Sequence, residues 1–258
     1  MPRLVGAVLV AILAVLTVLT YGLRIEAAPL PIPLFPVLTI VFITSGSIIV
    51  SYVSTRAYLK EGLPTMLFLG SATLTFGVAA LVAALMSGTA GSNSSTTLFI
   101  LAALVSAFLH LSCGISRFAQ TREHPGSRAV ALSVIALSLA FVAAIALLAN
   151  QADLPTLLNP GYGTTIIAKT LLGIAIATYL GASLLIGVSS TSPILYWYSW
   201  ALAALATGLF GLYLSDWVFM SVVFWTGRIA ICVGGVFMVL SVLSAEGGKG
   251  GSPETMQS

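Results

Sequence analysis

The sequence predicts an all-α, polytopic membrane bundle of eight transmembrane helices. Three observations predict it. Hydrophobic residues make up 59% of the 258 residues and charged residues only 7%, with a mean hydropathy of +1.10, whereas a soluble domain carries about 25% charged residues. The apolar residues gather into eight stretches close to the roughly 20 residues that a helix needs to cross a bilayer. The connections between them are short, so nothing outside the membrane is long enough to fold as a domain. Helices answer the requirement that every backbone polar group in hydrocarbon be satisfied within the protein.

The first stretch covers residues 4–23. Arg3 before it and Glu26-Ala27-Ala28 after it also give the outline of a signal peptide, but the run is long for a cleaved segment. A retained helix is the favoured reading. Pro29, Pro31, Pro33 and Pro36 punctuate the connection that follows and keep the first helix from running into the second. Seven more spans are expected at 34–53, 66–86, 97–115, 129–148, 164–188, 194–214 and 218–243. The chain thus divides into an N-terminal helix and Pro-rich connection (1–33), a seven-helix core (34–244) and a disordered cytoplasmic tail (245–258), the last reading EGGKGGSPETMQS from residue 246.

Lys and Arg set the orientation through the short loops. Arg56 and Lys60 lie between the second and third spans, and Arg117, Arg122 and Arg128 between the fourth and fifth. The alternate connections at 87–96, 149–163 and 215–217 hold none; Arg24 is the exception. With the first helix retained, this pattern places both termini in the cytoplasm of a multi-pass cell-membrane protein. Tyr196-Trp-Tyr-Ser-Trp200 and Trp217 fall at span ends and read as interfacial aromatic belts.

Several chemistries lack their residues. The net charge of +3 is small and scattered, so nucleic acid is not a partner. Cys113 and Cys232 both sit in apolar segments, with neither disulfide framework nor metal spacing. No serine–histidine–carboxylate set and no carboxylate pair is present, so the chain is read as non-enzymatic. Zinc and bis-histidine haem both fail because the only histidine besides His110 is His124, in a polar loop. A retinal protein is excluded by position, since the last span holds no lysine. No cofactor is expected.

The candidate site is built on Arg228. It falls about ten residues into the last predicted span, or roughly 15 Å, near the bilayer midplane, at a cost of about 2.5–3.5 kcal/mol. No Asp or Glu lies inside any predicted span, and Asp216 is the nearest acid in sequence. Two readings stay open. Arg228 fixes the bundle through hydroxyls and carbonyls, or it holds the acidic or carbonyl group of a small anionic or polar ligand in a cavity open to the outside. Thr39, Thr44, Ser45 and Ser47 on the second span, and Ser71, Thr73 and Thr75 on the third, supply hydroxyls beside Gly46, Gly70 and Gly77, which allow close helix approach. Lys169 near the outer end of the sixth span would make such a cavity locally positive. His110, in the fourth span, is read as hydrogen-bonding across helices. The candidate ligand-binding residues are Arg228, Lys169, His110, Thr73, Thr75 and Ser45.

Four stretches, in order, carry a family resemblance. They are Arg56-Ala-Tyr-Leu-Lys-Glu-Gly62 with Leu67-Phe-Leu-Gly70 and Gly77; the Gly91/Asn93 turn leading to His110; Pro193-Ile-Leu-Tyr-Trp-Tyr-Ser199 with Gly208-Leu-Phe-Gly211; and Gly227-Arg-Ile-Ala with Gly234-Gly235. Over residues 34 to 244 the chain resembles the N-terminal seven-helix transmembrane sensor region of bacterial and archaeal histidine kinases. The resemblance implies that Arg228 and His110 are family positions and that the helices sense a signal in or near the membrane. Those kinases continue into phosphotransfer domains, whereas here about 15 residues follow the last predicted span. The expectation is a detached sensor module, signalling through a separate membrane or cytoplasmic protein, in contact with membrane lipid. A structural accessory subunit of a larger membrane complex and a small-solute or lipid transporter are the alternative readings.

Overall fold

The computed structural model describes residues 2–25, 34–87, 92–116, 126–149, 156–159, 163–188, 193–216 and 221–247. Expectations for Glu26, Pro29, Pro31, Pro33, Gly91, Arg117, Arg122, His124, Trp217 and the tail from residue 248 fall outside the described residues.

The described elements are α1 (Pro2–Leu23), α2 (Leu34–Leu38), a π-helical turn (Thr39–Thr44), α3 (Ser45–Glu61), α4 (Pro64–Met86), α5 (Ser92–Ser116), α6 (Arg128–Ala149), β1 (Leu158–Asn159), β2 (Gly163–Thr164), α7 (Ile166–Val188), α8 (Pro193–Leu214) and α9 (Val222–Gly247). Counting α2, the π turn and α3 as one continuous span, eight helices among the described residues are long and apolar enough to cross a membrane. The chain is an all-α bundle of multi-pass membrane character.

The second span differs from expectation. Its helix continues to Glu61, where Gly62 takes a left-handed φ of 69° and its N–H reaches Tyr58 O at 2.7 Å. Pro64 then opens α4 at a position that needs no backbone donor. Near its start the span widens into a π turn, with Ser45 N–H bonding Ile40 O five residues back. Five of the six residues in Thr39-Ile-Val-Phe-Ile-Thr44 are β-branched, and such side chains crowd an α-helical turn. Thr44 spends its hydroxyl across the interface, on Gly77 O of α4 at 3.1 Å.

Six spans close into a ring in the order α3, α4, α5, α7, α8, α9 and back to α3. The span α1 lies outside against α8 and α9, and α6 lies outside against α4 and α5. Glycines set a close seam: a Cβ on Gly211 would stand 2.7 Å from Gly227 Cα, so α8 and α9 meet at backbone distance.

A short antiparallel hairpin marks one end of the bundle. Leu158 faces Thr164 and Asn159 faces Gly163. Asn93 Oδ1 accepts from Leu157 N at 2.8 Å and Leu158 N at 2.9 Å, tying the hairpin to the start of α5. Thr164, expected at the head of the sixth span, is in this hairpin instead.

Candidate functional site

Arg228 enters from α9, six residues after its first residue, Val222 (228 − 222 = 6), or about 9 Å along the axis. Arg228 thus lies nearer the start of α9, Val222, than the position about ten residues into the span expected from sequence. The residue is 7% exposed. Its guanidinium carbon stands 4.8 Å from the ring centroid of Phe99 on α5 and 5.1 Å from that of Phe224, one turn back on α9. Phe99 in turn meets Phe76 of α4 edge-on at 5.6 Å. A desolvated cation–π contact is worth about 2 kcal/mol. Two of them are of the same size as the insertion cost of about 2.5–3.5 kcal/mol. The electron-rich ring faces therefore add stabilisation that was expected to come from hydroxyls, carbonyls or a ligand.

Asp216 serves another cation. Its Oδ1 lies 2.7 Å from Lys169 Nζ and accepts from Thr164 Oγ1 at 2.8 Å. Asp216 closes α8 with a φ of 49°, a left-handed conformation that Asp tolerates better than most residues. The sequence leads one to expect Lys169 near Arg228 in a locally positive cavity. That expectation is corrected: Lys169 stands in the first turn of α7, neutralised by Asp216, and does not border the cavity that Arg228 borders.

That cavity is a groove of about 290 Å³ between α2 with the π turn and α9. Leu38, Thr39, Phe42 and Ile43 form one wall; Trp225, Arg228, Ile229, Cys232, Val233 and Val236 form the other. It runs along the flank of the bundle. Its α9 wall extends over three turns, and Phe42, Ile229 and Val236 are exposed apolar residues. The groove thus opens between apolar side chains on the outside of the bundle. Below it, a Cβ on Gly235 would overlap the carbonyl oxygen of Phe42, so the π turn and α9 touch backbone to backbone.

His110 occupies a second place. It is fully buried on α5, with its ring 5.7 Å from that of Tyr179 and 5.6 Å from that of Tyr198. Its Nδ1 lies 2.6 Å from Tyr198 Oη. Tyr179 Oη donates to Ser106 Oγ at 2.9 Å, and Ser106 Oγ donates to Ala72 O at 2.8 Å. One polar cluster thereby joins α4, α5, α7 and α8. Hydrogen bonding across helices was expected of His110; that its partner is Tyr198 was not. Tyr198 belonged to the aromatic run read as an interfacial belt, but it is 1% exposed. Helical spacing turns it inward while Tyr196 and Trp200 stay half-buried.

The hydroxyl candidates are occupied locally. Thr73 Oγ1 donates to Leu69 O and Gly70 O at 3.0 Å each, Thr75 Oγ1 to Ser71 O at 2.8 Å, and Ser45 Oγ to Val41 O. Thr73 borders a small cavity with His110; Ser45 and Thr75 border neither that cavity nor the groove. The six predicted residues therefore fall into separate places: Arg228 at the groove, His110 with Thr73 in the core, Lys169 at the hairpin end. Phe99, Phe224 and Ile43 were missed because an apolar residue in an apolar helix carries no distinguishing signal. Among the described residues no cluster of three His, Cys, Asp or Glu could hold a metal.

No protein-family model, no curated protein and no solved structure matches this chain.

Proposed function

We propose that the chain is a non-enzymatic sensor or binding module of the cell membrane. The groove takes the apolar part of a small amphiphile arriving sideways from the lipid, and Arg228 takes its acidic or carbonyl group. The observation that carries this reading is the π-helical turn set across the groove from Arg228. Such widened turns recur at functional sites. Occupancy would bias the π turn against α9, and the shift would reach a separate partner through the basic helix ends that carry Arg56 and Lys60 on α3 and Arg128 on α6. The ordered resemblance to the sensor region of histidine kinases supports the same reading, and the alternation of connections rich and poor in Lys and Arg supports an orientation with both termini in the cytoplasm.

Native mass spectrometry of the protein released from lipid nanodiscs tests it, with palmitic acid and hexadecanol as paired probes. The acid is expected to bind at least tenfold more tightly than the alcohol, and Arg228→Leu to abolish that preference while retaining the fold. Equal affinity for acid and alcohol in the wild-type protein would contradict the proposal. A stoichiometric complex with other membrane subunits after mild detergent extraction, together with no amphiphile binding, would favour the accessory-subunit reading.

A further inference from the structure

A second site lies in the core, independent of the groove. It is a cavity of about 20 Å³ bordered by His110, Ser47 and Thr73, with apolar residues such as Phe76, Leu205 and Met238 completing its walls. His110 Nδ1 is engaged with Tyr198, and Nε2, fully buried, has no hydrogen-bond partner among the described residues. A buried polar atom left so costs about 1–3 kcal/mol. A cavity needs roughly 10–15 Å³ of this kind of volume to hold one water, so the space admits a single small molecule.

The hydrogen-bond inventory identifies its chemistry. The Thr73 hydroxyl proton is spent on Leu69 O and Gly70 O, and the Ser47 proton on Thr44 O at 2.9 Å. Both hydroxyl oxygens are left as acceptors. We infer that the cavity holds one structural water, which accepts from His110 Nε2–H and donates to Thr73 Oγ1 and Ser47 Oγ. Those three bonds are the usual complement of a buried water. An anion would face two acceptor oxygens. A cation would be a buried charge with no acid among the cavity's bordering residues. The assignment also sets the ring: His110 is the neutral Nε2–H tautomer, so Nδ1 accepts from the Tyr198 hydroxyl. The water joins α5 to α4 and α3, completing the polar cluster that Tyr198, Tyr179 and Ser106 begin.

Solid-state NMR on the full chain in lipid, with ¹⁵N-labelled histidine, tests this directly. The chain has two histidines, and His124→Gln leaves His110 as the only signal. The expected result is a neutral ring protonated at Nε2, whose proton receives magnetisation from a bound water. Thr73→Val is expected to weaken that transfer at least threefold, and Thr73→Ser to preserve it. A ring protonated at Nδ1, or an Nε2 proton with no water contact, overturns the inference. An undiminished transfer in a folded Thr73→Val protein overturns the role given to Thr73.

Discussion

At Arg228 the balance between desolvation and ring contact decides whether an arginine can stay in an apolar span. The guanidinium spans the faces of Phe99 on α5 and Phe224 on α9 at 4.8 and 5.1 Å, so the arginine side chain reaches from α9 to a ring of α5. A double-mutant cycle of Arg228→Met and Phe99→Leu is expected to give a coupling of about 1–2 kcal/mol in reversible unfolding. Additive effects of the two substitutions would show that the ring is a bystander. The ion pair at Lys169 is a different case. Its partners are 33% and 43% exposed, and pairs so open contribute about 0–1 kcal/mol. Lys169→Met should therefore shift the melting temperature by only a degree or two, as thermal denaturation would show. The sequence exposed Arg228, His110 and Lys169 as polar residues out of place, but not what each meets. A cation signals its own cost, whereas Phe99 and Tyr198 look like any other apolar neighbour.

Among the elements, the π turn was the least legible. Hydropathy marks a span but carries no information on whether a backbone N–H bonds four or five residues back. The β-branched run from Thr39 to Thr44 was the available sign, and its reading requires knowing that α9 presses on it. Gly235 is where that pressure is greatest. Gly235→Ala is expected to destabilise the protein by about 1–3 kcal/mol through overpacking against Phe42. Gly173→Ala meets nothing within 4 Å and should be neutral or stabilising by up to about 1 kcal/mol, since alanine is the better helix former. Parallel thermal denaturation of the two variants checks the contrast. Ile43 borders both the groove and the His110 cavity. Ile43→Ala should join them, at a cost of about 2–5 kcal/mol.

For the whole molecule, the eight spans and most of their limits could be read from the sequence, because crossing hydrocarbon demands length and apolar character that no soluble helix needs. The closed ring of six helices with α1 and α6 outside could not. Lipid-facing residues such as Leu132, Leu137 and Leu147 on α6 are exposed in the bundle, yet they are as apolar as the core. Hydrophobic patterning therefore loses the inside–outside contrast that it carries in water. The flank groove was hidden for the same reason. Arg228 and Lys169, expected to share one cavity, stand apart, so the proposed amphiphile site rests on Arg228 without Lys169.

Quenching of Trp225 by a brominated fatty acid is the most direct measurement of that claim, because Trp225 and Arg228 share one wall of the groove. In nanodiscs the account predicts saturable quenching of the wild-type protein. The Trp225-dependent part, obtained by difference from Trp225→Phe, should require at least tenfold more probe after Arg228→Leu. Saturation at the same probe concentration in a folded Arg228→Leu protein, or quenching that rises without limit as for any lipid-facing tryptophan, would contradict it.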